Sequence, residues 1–147
     1  MKFSTRGRYA LRVMIDLAIH DNGNYIALKD ISERQGLTIK YLEQIVSTLN
    51  KSGLLKSMRG NNGGHKLARR PDKYTAGDIL RSVEGDLTPI ECISGVNAEV
   101  ECPLADDCCT VNFWKGLDRA INSYCDSVTL QDLVDDFSAN KVNDFSI

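Results

Sequence analysis

The stretch "LKDISERQGLTIKYLEQIVSTLNKSGLLKSMRGNNGGHKLAR", residues 28–69, constrains the fold more than any other part of the chain. Leu28 and Ile31 fall on one side of a short helix, and Gly36 stands where a left-handed cap closes it. After a tight break, Leu42, Ile45, Val46 and Leu49 repeat at the spacing of a buried helical stripe, which Gly53 ends. Leu54–Met58 and His65–Ala68 read as two strands around "RGNNGG", a turn whose residues tolerate positive φ. Two short helices in a tight pair, followed by a hairpin, form a helix-turn-helix with a wing. The expectation is a mainly α fold with a small β-hairpin wing.

The flanking segments complete the plan. "RYALRVMIDLAIHDNG" sets Leu11, Met14, Ile15 and Ala18 at helical spacing. "YTAGDILRSVEG" predicts another helix, with Thr75 and Asp78 as a capping pair and Gly85 as its stop. Residues 86–109 show no period and contain Pro89, Gly95 and Pro103, so a long functional loop is expected there. A long helix follows, with Phe113, Trp114, Leu117, Ile121 and Tyr124 along one side, a stripe rich enough for a dimer interface. "TLQDLVDDF" makes a last helix behind the capping pair Thr129 and Asp132, and the tail from Ser138 reads as loose. The expected division is 1–85 for a winged helix-turn-helix domain and 86–109 for a cysteine-bearing loop. Residues 110–137 would form a dimerisation helix and terminal helix, and 138–147 a flexible tail.

Charge separates the two halves. Residues 1–73 hold 14 basic against 6 acidic side chains, +8, and residues 74–147 hold 4 against 14, −10, within a net charge of −2. Such asymmetry suggests that the first half meets a polyanion. On the second helix of the pair, Thr38, Lys40, Tyr41, Glu43 and Gln44 are the polar or exposed set. Thr38, Tyr41 and Gln44 could donate to phosphates near a helix N-terminus. Glu43 could accept from a cytosine amino group, which would make it a discriminator between sites more than a source of affinity. Arg59, beside small residues at the wing tip, suits a narrow minor groove. The apolar run Ala10–Ile19 is interrupted by Arg12 and Asp16, so neither a secretory signal nor a membrane span is expected, and the chain reads as cytoplasmic.

In that compartment clustered thiols point to metal or redox chemistry. Four of the five cysteines lie in "ECISGVNAEVECPLADDCC", Cys92, Cys102, Cys108 and Cys109. The gaps between the first three are nine and five residues, with no CxxC pair. Zinc favours CxxC pairs, a regulatory disulfide is open, and an iron–sulfur cluster tolerates irregular spacing around its bulk. The cluster is the first reading. Adjacent side chains diverge, which disfavours Cys109 beside Cys108, and Cys125 reads as a buried hydrophobe. A fourth ligand could be Asp106 or Asp107, a partner residue or a small molecule. No nucleophile–base pair or phosphate loop suggests an enzyme.

Together these residues resemble the IscR-type family of bacterial winged helix-turn-helix regulators, which includes NsrR, RirA and CymR. The resemblance runs from Met1 to about Phe137, carried by "STRGRYALRVMIDLA", "YLEQ" with "SGLLKSMRG" and "GG", "AGDILRSVEG" and "TLQDLV". It implies a homodimer on a palindromic operator in double-stranded DNA, and no membrane partner. The DNA-binding set would be Ser4, Tyr9, Thr38, Lys40, Tyr41, Glu43, Gln44, Arg59 and Asn61. The dimer interface would be Trp114, Leu117, Ile121 and Tyr124 on a long C-terminal dimerisation helix. Cys92, Cys102 and Cys108 match the place and order of the three cluster ligands, with [2Fe–2S] preferred to [4Fe–4S]. Members similar to CymR lack that triplet. Where IscR has a histidine three residues after the third cysteine, this chain has Val111, and no carboxylate precedes Asp16 to act as the acidic ligand of NsrR-like members. The implied function is a cluster-sensing repressor of iron–sulfur assembly genes. A nitric-oxide- or redox-responsive repressor is the alternative, and a metal-binding or electron-transfer protein the alternative of another class.

Overall fold

The computed structural model describes residues 2–93 and 107–145. Its elements are α1 (Thr5–Ile19), α2 (Leu28–Gln35), α3 (Ile39–Lys51), β1 (Leu55–Met58), β2 (Gly64–Leu67), α4 (Ala76–Glu84), α5 (Val111–Ser127) and α6 (Leu130–Phe145). Short 3-10 turns sit at Pro71–Lys73 and Glu91–Ile93. Among the described residues no helix is long and apolar enough to cross a membrane.

The helix pair forms as its sequence dictates. Gly36 adopts φ 67° and its N–H closes α2 on the Ser32 carbonyl at 2.9 Å. Thr38 starts α3 by accepting from the Tyr41 N–H at 3.2 Å. Leu42, Ile45, Val46 and Leu49 are all buried in the main core, together with Ile31 and, from α1, Ala10, Val13, Met14 and Leu17. Burying each of the larger of these side chains, Ala10 aside, contributes about 1.5–3 kcal/mol as an upper estimate.

The hairpin pairs Leu55 with Leu67 at its core end and Met58 with Gly64 near its tip. His65 also exchanges two backbone bonds of 2.8 Å with Ile26, which docks the wing on the segment between α1 and α2. A Cβ at residue 64 would fall 2.2 Å from the Ile26 carbonyl oxygen, so that approach requires glycine. The strands are one residue out of step with the sequence expectation, β1 beginning at Leu55 and β2 at Gly64.

Helix α1 is the hub, packing against α2, α3, α4, α6 and β2. It begins at Thr5, where Ser4 caps it. Contact on several sides also widens and rotates its buried arc. Ala10, Val13, Met14 and Leu17 are fully enclosed, whereas Leu11, Ile15 and Ala18 of the expected stripe are only partly so. The buried Asp16 carboxylate ties α1 to α2. It accepts from Arg34 Nη2 at 2.7 Å, Arg34 Nε at 3.0 Å and Gln35 Nε2 at 2.9 Å.

Both predicted capping pairs form, Thr75 with Asp78 and Thr129 with Asp132. Arg81 of α4 holds α5 through Asp126, at 2.7 and 2.9 Å, and Asn122, at 2.7 Å. The residues from Ser138, expected to be a loose tail, continue α6 to Phe145. Neither Gly nor Pro follows Leu130 to break that helix, and Lys141 lies 4.9 Å over the Phe137 ring one turn away.

Candidate nucleic-acid interface and thiol segment

The exposed flank of α3 and the wing enclose one open groove, lined among others by Glu43, Ser47, Asn50, Arg59 and His65. Lys40, Glu43, Gln44, Arg59 and Asn61 are exposed, and Arg59 has no ion pair among the described residues. The Thr38 oxygen is used in capping, which leaves its hydroxyl hydrogen able to donate outward. Tyr41 is half-buried and meets Tyr9 edge-on, at 6.0 Å between centroids and 88° between planes. Arg12 lies 5.4 Å over the Tyr9 ring and donates to Gln35 at 3.0 Å. Tyr9 therefore braces the start of α3, a role that helical spacing in α1 does not disclose.

Ser4 caps α1. Its oxygen accepts from the Gly7 N–H at 3.1 Å and its hydroxyl donates to Glu84, so its single hydroxyl hydrogen is already used. Ser47, Asn50 and His65 were not singled out in the sequence, yet they line the same groove. The helical signal was available for two of them, since Ser47 and Asn50 lie four and seven residues beyond Glu43. His65 Nδ1 and Ser57 Oγ share a hydrogen bond of 2.7 Å across the hairpin. Burial pushes the His65 imidazole below its ordinary value, which favours the neutral ring.

On α5, Trp114, Leu117 and Ile121 are half-buried, and Phe113 and Tyr124 remain 64% and 71% exposed. Ile121 and Tyr124 join Phe3, Leu11, Leu80 and Leu133 around an apolar groove between α1, α4, α5 and α6. Cys125, buried against Leu80 and Leu87, is the hydrophobe expected of it.

Cys92 is exposed in the Glu91–Ile93 turn, which packs on α5. Cys108 is half-exposed just before α5, with Sγ 3.6 Å from Thr110 Oγ1. The Thr110 hydroxyl, then the Thr110 and Val111 backbone amides, hold this thiol below its ordinary value. Cys102 and Asp106 lie outside the described residues, as does all of 94–106, and Asp107 is exposed. Among the described residues no three His, Cys, Asp or Glu side chains stand together as a metal site. The donors that are described fit an iron–sulfur group in kind: two free, accessible thiols, one in the turn that packs on α5 and one just before α5, the latter biased toward thiolate. The two histidines are engaged elsewhere, His20 with the Asp16 carbonyl and His65 with Ser57.

A family model described as Rrf2, iron-dependent transcriptional regulator, matches residues 3–136. The HTH-type transcriptional regulator IscR of Aliivibrio salmonicida is 35% identical over 144 residues, 98% of this chain and 83% of that protein. IscR of Yersinia enterocolitica is 34% identical, covering 98% and 85%. Among solved structures, CymR, the global cysteine regulator of B. subtilis, has a TM-score of 0.72 and 40% identity over 92% of this chain and 97% of that one. T. potens IscR has a TM-score of 0.68 and 35% identity over 92% and 88%.

Proposed function

The chain belongs to the Rrf2 family of transcriptional regulators and is a DNA-binding regulator of IscR type; on that premise we propose that an iron–sulfur cluster governs which sites it binds. Cys92, Cys102 and Cys108 would hold the cluster. When bound, such a group supplies a redox-active, oxidant-labile centre. The observation that carries the DNA half is the groove between a capped α3 and the wing, with exposed Arg59 and Glu43 on its walls. The packing of the Cys92 turn against α5, which Cys108 precedes, carries the cluster half.

The residues divide the work by chemistry. Thr38, Lys40, Tyr41, Gln44 and Asn61 supply donors or charge toward phosphates, which fixes register. Glu43 reads a base-edge donor, and Arg59 enters the minor groove. Two copies joined along α5, through Trp114, Leu117, Ile121 and Tyr124, would set two such heads on a palindromic operator. The promoters assigned to it are those of iron–sulfur assembly genes, because cluster occupancy reports cluster supply.

The likeness to CymR favours a second reading, regulation of cysteine metabolism without a cluster. One preparation separates the two. Protein isolated without air should be coloured and hold iron and sulfide in equal amounts, and Cys92→Ala should lose both. A colourless parent that still selects one DNA sequence would leave the second reading. Salt completes the test. With six to ten phosphate contacts, affinity for a selected duplex should fall roughly 10³–10⁵-fold between 50 and 200 mM salt. A metal carrier without sequence preference would bind random and selected duplexes alike.

A further inference from the structure

Helix α1 has no acidic residue in its first turn, although a helix N-terminus favours negative charge. That charge comes from another helix. The Ser4 backbone N–H, 80 residues away in sequence, donates to Glu84 Oε1 at 3.0 Å, and the Ser4 hydroxyl donates to the same oxygen. Gly7 makes the room, since a Cβ there would fall 2.3 Å from Glu84 Oε1. Glu84 is the last residue of α4, where the negative end of that helix disfavours a carboxylate. Its position is unfavourable for α4 and favourable for α1, so it joins the two.

What stands on either side of this joint is informative. Gly85 ends α4 with φ 79°, and the cysteine-bearing segment departs at once. Leu87 is buried with Leu80 and Cys125 of α5, and Cys92 follows on the turn that packs against α5. On the other side, α1 is one continuous helix from Thr5, and its Tyr9 meets Tyr41 in the first turn of α3. Glu84 is thus a polar contact between the root of the thiol segment and the helix that braces the recognition helix.

We propose that Glu84 is a positioning residue that couples the state of the thiol segment to the placement of α3, acting through the N-terminus of α1. The inference rests on the cluster-governed reading above. With the segment drawn into one arrangement, α4 ends where Glu84 holds Ser4, and Tyr9 keeps Tyr41 and the start of α3 in place. In the other arrangement the end of α4 shifts, Ser4 loses its partner, and the first turn of α1 loosens. The two states differ by a contact that one carboxylate makes or breaks, which is the differential interaction that any population shift requires.

Two variants test it from opposite directions. Glu84→Ala removes the carboxylate. Gly7→Ala leaves it in the chain but occupies its place, while raising helix propensity in the first turn of α1. Each is compared with the parent, cluster-loaded and chelator-stripped without air, on a duplex that the loaded parent selects from random DNA. In the parent the two forms should differ about tenfold or more in affinity. In both variants that ratio should collapse toward one, with visible absorption retained and no fall in the melting temperature of Gly7→Ala. Amide exchange gives a readout independent of DNA: stripping the cluster should speed exchange at Ser4 and Gly7 in the parent and leave it unchanged in the variants. Variants that keep the parent's ratio, or lose affinity equally in both forms, overturn the role of Glu84 and leave the cluster-governed reading standing. A parent ratio of one overturns both.

Discussion

Tyr74→Phe isolates one hydroxyl at the base of the wing. Tyr74 is fully buried, and its hydroxyl donates to the Leu54 carbonyl at 2.6 Å while accepting from the Arg69 N–H at 2.9 Å. Leu54 links α3 to β1 and Arg69 follows β2, so this oxygen closes the hairpin onto the recognition helix. Phenylalanine keeps the ring under the Arg69 guanidinium, 4.6 Å away, and opens no cavity. The Leu54 carbonyl retains the Ala68 N–H at 3.3 Å, whereas the Arg69 N–H is left without its partner. One stranded donor plus one weakened acceptor amounts to about 2 kcal/mol. At this chain length that lowers the melting temperature by about 4–8 °C. Cluster-free protein at fixed concentration, followed by far-ultraviolet circular dichroism, measures it. Exchange of the Arg69 amide should quicken more than that of core amides in α3. A loss under about 0.5 kcal/mol, with Arg69 exchange unchanged, would refute the reasoning, because the hydroxyl would then be replaceable by water.

Other residues give separate expectations. Glu43→Ala should relax base preference by about 1–3 kcal/mol at one operator position and change affinity for random DNA far less; an unaltered preference removes Glu43 as a reader. Arg59→Ala should weaken the best sites by about 1–3 kcal/mol and flatten the salt dependence by about one unit of slope, so an unchanged slope takes the wing out of the contact. His65 should titrate below its ordinary 6.5, in magnetic resonance assigned by comparison with His65→Asn. The unfolded chain then binds the proton first as pH falls through about 6.5, so stability should decline over that window and be restored as pH rises. A His65 midpoint at or above the ordinary value would contradict the burial argument.

Much of the architecture is written locally. Gly36, the Thr75–Asp78 and Thr129–Asp132 pairs and the α3 stripe each act within a few residues, and sequence alone is enough to place them. The α1 stripe was less legible, because a helix packed by several neighbours buries a wider arc than one face of the pattern implies. Asp16 looked like an interruption of an apolar run and is instead a buried tie, satisfied by Arg34 and Gln35 of another helix. Ser4 caps its own helix and also bonds to a carboxylate 80 residues on. Such pairs have no periodicity to announce them. Of the candidate site, the exposed face of α3 and Arg59 at the wing could be chosen from the sequence, and the groove that unites them with Ser47, Asn50 and His65 could not. The thiols could be identified by type and order, whereas the packing of the Cys92 turn against α5 could not.

The central claim is tested most directly by measuring, without air and at one salt concentration, the affinities of the loaded and stripped protein for duplexes selected by each form. The account predicts that at least one duplex separates the two forms by about tenfold or more. Equal affinity on every duplex, with iron and sulfide verified in the loaded sample, would contradict it.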